Sequence, residues 1–221
     1  MNYTVYKNVE IGEGAVIEDG VILGVPAHGK KDGEVPLIIG KNAYIRAHTI
    51  IYAGVRIGND FQTGPNVLIR EENTLGNSVC VWANAVLNPE NVIGENVRIH
   101  VGCFLEKTTI GNDVFLGPRV TFSDDPHPVM PPDHKECWQG AVIEDGVIVG
   151  AGTTFLPHVT IGTAALIGAG SVVTKDIEAF MVAYGNPARV HKTIDEIICT
   201  RGKKSHTPYE QKRKKYDSSI R

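Results

Sequence analysis

The sequence has no long apolar run, no strong charge imbalance and no closely spaced cysteines. None of its apolar segments is long enough to span a membrane, and the N-terminus has neither a basic start nor an apolar secretory run. The formal net charge of −3 over 221 residues gives no general attraction to nucleic acid. The sequence therefore predicts a cytoplasmic protein with neither a membrane nor a nucleic acid as partner.

The four cysteines are scattered and show no C-x-x-C spacing, so they fit neither a zinc knuckle nor a disulfide framework. Free cysteine commonly packs as a small apolar side chain, and we expect these thiols to be reduced and without a catalytic role. They are Cys80, Cys103, Cys137 and Cys199.

Apolar residues recur at every sixth position over most of the chain. A helix would place them every 3.6 residues and an isolated half-buried strand every second residue, so a step of six indicates a short strand followed by a turn. The positions are Val5, Ile11, Ile17 and Leu23, then Ile39, Ile45, Ile51, Ile57, Ile69, Leu75, Val81, Leu87, Ile93, Ile99 and Leu105, then, after a one-residue slip, Ile110, Leu116 and Phe122, and finally Ile143, Val149, Phe155, Ile161, Ile167 and Val173.

A second period of eighteen residues lies on top of the first. Ile-Gly or Leu-Gly pairs fall at 39/40, 57/58, 75/76, 93/94 and, after the slip, 110/111. Three steps of six make one coil with three flat sides, and stacked coils would place the apolar residues in columns inside a triangular prism. The sequence thus predicts an all-β protein, a parallel β-helix over residues 1–189.

Two segments interrupt the repeat. Residues 25–36 are rich in glycine, proline and charge and should form a loop, either a plain surface excursion or a flap over an acceptor pocket. Residues 123–140 contain four prolines, which cannot join a strand ladder, so this stretch must leave the coil. Long loops without their own secondary structure are usually functional in compact domains.

The repeat ends after Val173. Residues 176–189 predict an extended exit with a turn at Gly185, Asn186 and Pro187. Residues 190–221 predict a separate C-terminal part: a short amphipathic helix over 190–201, with Ile194, Ile197 and Ile198 on one face, and a frayed basic tail. Seven basic residues against two acidic ones give residues 202–221 a charge of +5, which fits a solvated tail or a phosphate or partner contact.

The hexapeptide pattern [LIV]-G-x-x-x-x resembles the left-handed parallel β-helix acyltransferases, from about Val5 to about Lys192. The left hand comes from the resemblance, because parallel crossovers in general are right-handed. The resemblance also implies a homotrimer with active sites between subunits, acetyl-CoA as co-substrate, no catalytic metal, and a sugar or nucleotide-linked amino sugar as acceptor.

The stretch 117–128, GPRVTFSDDPHP, resembles the segment that carries the catalytic histidine in the galactoside and maltose acetyltransferases. That resemblance implies that His127 is the general base, and the alternative is a loop histidine that only packs. Asp124 and Asp125 are near enough in the sequence to orient or charge its imidazole, and we predict that Asp124 contacts the acceptor. Relatives that acetylate nucleotide-linked amino sugars can lack this histidine, so transfer to oxygen and transfer to nitrogen both stay open.

Glu106 lies five residues before Gly111, and the galactoside branch has an acceptor-binding carboxylate close to this position, so we predict an acceptor contact rather than a solvated turn residue. Stacking at eighteen residues places Asn88 and Arg70 beneath Glu106, and Trp82 beneath His100. We predict that Asn88 and Trp82 also line the acceptor pocket. The remaining histidines of the coil, His48 and His158, are expected to be structural.

Residues 148–192 resemble the coenzyme A platform of the same family. Small residues stacked eighteen apart would let backbone amides approach the pantetheine arm, and basic residues would meet the phosphates. The resemblance assigns Ala151 and Ala169 to the arm, Thr174, Lys175, Arg189 and Lys192 to the nucleotide and its phosphates, and Asn186 to the adenine site.

Two other functions stay open on the same fold. A γ-carbonic-anhydrase-like enzyme would bind zinc through three histidines, and this chain lacks the close histidine pair of those proteins. A non-catalytic scaffold would need neither the His-Pro loop nor the basic exit segment. No G-x-G-x-x-G or P-loop sequence is present.

Overall fold

The computed structural model describes residues 2–128, 136–198 and 209–217, and these form a left-handed parallel β-helix with a short C-terminal helix. Most sides of a coil are a two-residue strand followed by a four-residue turn. The turns close because one residue in each takes a left-handed backbone, which asparagine, aspartate and glycine tolerate best. Asn42, Asn84 and Asp113, with φ of 58°, 58° and 56°, occupy this position in three of the coils.

The strands stack into three parallel sheets, which we call faces A, B and C. Face A consists of β1 (Thr4–Val5), β4 (Ile22–Val25), β7 (Ile50–Tyr52), β10 (Leu68–Ile69), β13 (Val86–Leu87), β16 (Phe104–Leu105), β19 (Thr121–Phe122), β22 (Thr154–Phe155) and β25 (Val172–Val173). Face B consists of β2 (Val9–Ile11), β5 (Leu37–Ile39), β8 (Arg56–Ile57), β11 (Thr74–Leu75), β14 (Val92–Ile93), β17 (Thr109–Ile110), β20 (Val142–Ile143) and β23 (Thr160–Ile161).

Face C consists of β3 (Val16–Ile17), β6 (Tyr44–Ile45), β9 (Gln62–Thr63), β12 (Cys80–Val81), β15 (Arg98–Ile99), β18 (Phe115–Leu116), β21 (Ile148–Val149), β24 (Leu166–Ile167), β26 (Met181–Gly185) and β27 (Ala188–Thr193). The turns from face A to face B form edge AB, those from B to C form edge BC, and those from C to A form edge CA.

The strand register reproduces the sequence periods. Thr74 pairs with Val92, eighteen residues later, and Val92 pairs with Thr109, seventeen residues later. The next pair in face B, Thr109 with Val142, spans the second loop. The predicted slip of one residue therefore shortens one turn on edge AB. The strands before and after this turn still pair in register with those of the neighbouring coils.

The predicted apolar columns form one continuous core inside the prism. Leu87, Leu105 and Phe122 are fully buried, and the rings of Phe122 and Phe155 stack with centroids 4.6 Å apart. Burial of such a side chain contributes about 1.5–3 kcal/mol each. Val5 and Ile11 share the pattern but are 43% and 37% exposed, because the described residues place no coil over the first one.

Both predicted loops leave the prism on edge AB. Residues 26–36 connect β4 to β5, and the loop is fastened to the first coil by a hydrogen bond from the Lys7 N–H to Asp32 Oδ1 at 2.8 Å. The second loop connects β19 to β20, and residues 129–135 lie outside the described residues.

The exit segment is extended, with its turn at the predicted position, and it forms a hairpin that was not predicted. Strands β26 and β27 pair antiparallel, and the turn between them contains a cis bond from Asn186 to Pro187. The helix predicted over 190–201 is wrong over its described part, residues 190–198, because Val190 to Thr193 belong to β27 and only a single 3-10 turn, Ile194–Glu196, follows. The unpaired edge of β26 offers backbone partners that a helix would have left unused. Residues 199–201 lie outside the described residues.

The predicted frayed tail contains a docked helix, α1 (Glu210–Asp217). Tyr216 is 5% exposed and packs against a small cluster with Ala164, Phe180, Val182 and Ile194, on edge BC. Residues 202–208 and 218–221 lie outside the described residues. No helix in the described ranges is long and apolar enough to cross a membrane.

Polar contacts fix this helix to the β-helix. Tyr216 Oη and Lys215 Nζ donate to Asp113 Oδ2 at 2.7 and 2.6 Å, and the Arg213 guanidinium lies 4.0 Å over the Phe180 ring. Burial alone would raise the pKa of Asp113, but hydrogen bonds from Lys215, Asn96 and Tyr216 outweigh it and hold this pKa at about 2. Burial lowers the pKa of Lys212 on the same helix to about 8.

Candidate functional site

A column of polar side chains runs along edge AB between the two loops. It consists of Arg70, Asn88 and Glu106, the residues that follow β10, β13 and β16 in register. Asn88 Nδ2 donates to Glu106 Oε2 at 3.0 Å, and Arg70 donates twice to Glu71, at 2.7 and 3.1 Å. The predicted stacking of these three residues is confirmed, and all three are partly exposed.

His127 lies at the base of the second loop on the same edge. The backbone N–H of His127 donates to Asp125 Oδ1 at 2.7 Å, and His127 is exposed. The loop base is closed by the Gln139 N–H, which donates to the carbonyl of Asp124 at 2.9 Å. The sequence-predicted residues Asn88, Glu106, Asp124 and His127 therefore share one edge.

Glu106 and the start of the His127 loop lie in adjacent coils. Phe104 pairs with Thr121, so Glu106 stacks beneath Ser123 at a strand spacing of about 4.8 Å. The slip of one residue occurs in the turn that contains Glu106. The shortened turn therefore lies directly beneath the start of the loop that carries His127.

Trp82 lies on edge CA, a different edge from Asn88 and Glu106. Its ring centroid is 6.0 Å from that of His100, which in turn is 5.0 Å from that of Phe115. Trp82 is 43% exposed. The structure therefore confirms the stacking of Trp82 on His100, and within one chain it separates Trp82 from the other predicted acceptor residues.

Edge CA continues into a column of three glycines that the sequence reasoning did not single out. A Cβ added at Gly117 would lie 2.7 Å from Ala151 N, one at Gly150 would lie 2.4 Å from Ala169 N, and one at Gly168 would lie 2.7 Å from Tyr184 Cβ. Only glycine fits such close stacking. The floor of this groove is therefore backbone plus the methyl groups of Ala151 and Ala169, both exposed. The repeated G-A-G at 150–152 and 168–170 is the signal that could have found it.

The basic residues predicted for phosphates lie at the C-terminal end of the prism. Lys175 and Arg189 line one cleft of about 220 Å³, together with Asp176, Ile177 and Ala188.

The other three nucleotide candidates lie beside this cleft. Thr174 directly precedes Lys175 after β25, and Asn186 lies in the exposed hairpin turn. Lys192 pairs with Val182 further along β27 and is not among the residues that line the cleft.

The cysteines and the turn histidines are the side chains for which the sequence predicts no catalytic role. Cys80, Cys103 and Cys137 are free thiols, and burial raises the pKa of Cys103 to about 11 and also raises that of Cys80. Cys199 lies outside the described residues. His48 and His158 occupy left-handed turn positions, with φ of 59° and 66°. Among the residues that the structure describes, no three His, Cys, Asp or Glu side chains are grouped so that they could hold a metal ion.

Comparison with known proteins adds to this geometry. Residues 140–175 match the family model of the bacterial transferase hexapeptide (six repeats). A galactoside O-acetyltransferase of Lactococcus lactis subsp. lactis is 44% identical over 90 residues, which cover 39% of this chain and 44% of that protein. A galactoside O-acetyltransferase of Escherichia coli is 42% identical over 95 residues, covering 40% and 45%. The chain thus spans less than half the length of these relatives.

A solved UDP-N-acetylglucosamine acyltransferase from Bacteroides fragilis superposes with a TM-score of 0.70, covering 86% of this chain and 72% of that one at 20% identity. This likeness concerns the fold. Together with the register of the three faces, it confirms the fold that the hexapeptide pattern predicted. The chain is therefore a left-handed β-helix in which residues 140–175 match the bacterial transferase hexapeptide model, and it is similar to acetyltransferases of this kind.

Proposed function

We propose that this protein is an acetyl-CoA-dependent acetyltransferase that transfers an acetyl group to a hydroxyl or amine of a sugar or nucleotide-linked amino sugar, with His127 as general base. The identity to galactoside O-acetyltransferases supports the reaction type. A tetrahydropyridine-dicarboxylate N-acetyltransferase of Clostridium perfringens is 41% identical over 66 residues, so the relatives include both oxygen and nitrogen transfer.

One observation carries the proposal: the predicted acceptor-side residues and the glycine column lie on the two edges that border face A. Edge AB carries His127, Glu106 and Asn88, and edge CA carries Trp82 and the glycine groove. Between these edges, the outward side chains of face A are uncharged, and beyond the first strand they are only partly exposed. These are Thr4, Ile22, Ile50, Leu68, Val86, Phe104, Thr121, Thr154 and Val172, of which only Thr4 is fully exposed.

An uncharged flat face of this kind suits self-association, because its apolar surface is released from water on contact. Three copies that bury face A around a threefold axis would place edge AB of one copy against edge CA of the next. We therefore propose a homotrimer in which each site combines His127 and Glu106 of one copy with the glycine groove of its neighbour.

The groove and the cleft fit the chemistry of the coenzyme. A floor without side chains would admit an extended pantetheine arm within reach of the backbone amides beside Ala151 and Ala169. Lys175 and Arg189 would pair with the phosphates at the C-terminal end through charge-assisted hydrogen bonds. Thr174, Asn186 and Lys192 remain the proposed contacts of the nucleotide.

In the proposed reaction, acetyl-CoA would supply the acetyl group as a thioester. The imidazole of His127 would accept the proton of the acceptor hydroxyl or amine while the acceptor atom bonds to the carbonyl carbon. His127 would then return this proton to the departing sulfur as the carbon–sulfur bond breaks, so the histidine ends unchanged. A backbone amide would stabilise the oxyanion. Glu106, Asn88, Asp124 and Trp82 would hold the acceptor.

The test measures release of the coenzyme A thiol with free sugars, amino sugars and nucleotide sugars. His127→Ala should lower turnover about 10²–10⁴-fold, the usual contribution of a positioned general base, and leave the affinity for acetyl-CoA within about twofold. His158→Asn, in the next coil of the same edge, is the matched control and should keep wild-type turnover. Full turnover in His127→Ala would refute the base, and no release with any acceptor would refute the transferase and favour a scaffold.

A further inference from the structure

The buried polar side chains of edge AB occur in the coils that carry Arg70, Asn88 and Glu106. From the third coil onward, the last residue of each turn on this edge points into the core, and the successive residues are Val55, Asn73, Asn91, Thr108, Ala141 and Val159. All of them are buried, with exposures of 0–4%. Three polar residues in a row are thus flanked on both sides by apolar ones.

These polar residues are joined into one ladder. Asn91 Nδ2 donates to Asn73 Oδ1 at 2.8 Å, and the Thr108 N–H donates to Asn91 Oδ1 at 2.9 Å. No buried polar side-chain atom of the described residues lacks a partner. The ladder is therefore complete, as a buried polar network must be if it is not to cost stability.

The ladder binds the backbone of all three column residues. Asn73 Nδ2 donates to the carbonyls of Arg70 and Asn88 at 2.8 and 2.9 Å, and Asn91 Nδ2 donates to the same carbonyl of Asn88 at 2.6 Å. Thr108 Oγ1 donates to the carbonyl of Glu106 at 3.0 Å. Each bond fixes the peptide plane from which a surface side chain of the column projects.

Stacking of the coils does not require these amides. Edge BC builds the same turns with buried apolar residues only, among them Ala43, Phe61, Val79 and Val97. On edge AB itself, Val55 and Val159 fill the same position in other coils. Buried hydroxyls fill the same position on edge CA, where Thr153 and Ser171 donate to the carbonyls of Gly150 and Gly168 at 2.9 and 2.6 Å. Among the described residues, however, buried asparagines occur only in the coils of the functional column, so a general structural need does not account for Asn73 and Asn91.

We infer that Asn73 and Asn91 are positioning residues that set the direction of the Asn88 and Glu106 side chains toward the acceptor. They act from inside the prism and touch no substrate. This inference rests on the proposed function, because it assigns Asn88 and Glu106 to the acceptor.

The main test is Asn91→Val, which places at this position the residue found at 55 and 159. It should raise the acceptor KM about tenfold and leave the KM for acetyl-CoA within about twofold. Val97→Ala, a buried residue in the same coil but on edge BC, is the control: it should lower the melting temperature without changing the acceptor KM. Asn91→Thr should keep most of the wild-type acceptor KM, since its hydroxyl can donate to the Asn88 carbonyl as that of Thr153 does to the Gly150 carbonyl, also three residues back.

A double-mutant cycle separates positioning from general destabilisation. In a background in which Asn88→Ala and Glu106→Ala are introduced together as one perturbation, Asn91→Val should change the acceptor KM less than twofold, because both residues through which it acts are gone. The inference is overturned if the effect is equally large in that background, if both KM values rise together, or if the acceptor KM of Asn91→Val equals that of the wild type. Should Asn91→Val not fold, Asn73→Val is measured against the same outcomes. Wild-type protein without transfer to any acceptor would overturn the proposed function first, and this inference with it.

Discussion

Replacing Tyr216 should release the C-terminal helix while the β-helix stays folded. Helix α1 has eight residues, and a helix of this length is not stable alone in water. Its contacts with edge BC must therefore hold it. Tyr216 supplies the largest of them, a ring that is 5% exposed and a hydroxyl 2.7 Å from Asp113 Oδ2.

The magnitude follows from these two contacts. A hydrogen bond to a charged group contributes about 1.5–3 kcal/mol. Asp113 keeps its bonds to Lys215 and Asn96 when the hydroxyl is lost, so we expect Tyr216→Phe to cost about 1.5 kcal/mol, or about tenfold in the undocked population. Truncating a buried aromatic ring costs about 3–5 kcal/mol. Tyr216→Ala should therefore leave the helix mostly undocked.

Limited trypsin digestion measures this directly, because four consecutive basic residues, 212–215, lie in the helix. When opening and closing are fast, cleavage reports the undocked population. At residues 212–215 we expect slow cleavage in wild type, about tenfold faster cleavage in Tyr216→Phe and immediate cleavage in Tyr216→Ala, with the described strands of the β-helix resistant in all three. Gln211→Ala, on the exposed side of the helix, should match wild type. Equal cleavage of Tyr216→Ala and wild type would refute the docking role.

Two further predictions concern charge. The double substitution Lys175→Ala and Arg189→Ala should raise the KM for acetyl-CoA at least tenfold with little change in kcat, since it removes binding that ground state and transition state share; unchanged KM would refute the phosphate placement. The pKa of Asp113 is about 2 in the folded protein, below its ordinary value. The charged form of Asp113 therefore stabilises docking of the helix, by about 1 kcal/mol after allowance for solvent screening. This contribution is complete above about pH 4 and is lost as the pH falls toward 2. NMR of the Tyr216 ring should show this release in wild type and a flatter pH profile in Asp113→Asn, whereas release with a midpoint above pH 5 would contradict it.

The coil could be predicted because its information is local and periodic. Three steps of six place Ile57, Leu75 and Ile93, which are eighteen residues apart, on the same face, and the same count predicts that Asn88 stacks beneath Glu106. The turn glycines and asparagines mark the corners as well. The same arithmetic could have shown that Trp82, six residues before Asn88, belongs to another edge.

The C-terminal part could not be predicted in this way, because its contacts are not periodic. Tyr216 and Asp113 are 103 residues apart, and nothing in the basic tail indicates a buried tyrosine. Ile194, Ile197 and Ile198 have helical spacing, yet only Ile194 is buried, since the free edge of β26 draws Val190 to Thr193 into a strand. The ladder of Asn73 and Asn91 is periodic, yet the sequence alone does not reveal it. Two asparagines eighteen residues apart look like exposed turn residues until their burial is known.

A fixed number of coils separates the two loops on edge AB, and this number determines the distance between the loops along the prism. From β4, where the first loop leaves, to β19, where the second leaves, there are five strand spacings of about 4.8 Å, or about 24 Å. Each coil between the loops repeats after seventeen or eighteen residues and contacts only its neighbours, so the insertion or deletion of one whole coil would change this distance by about 4.8 Å and leave the other side chains facing as before. The fold therefore allows the span between the loops to change in equal increments without redesign of either end.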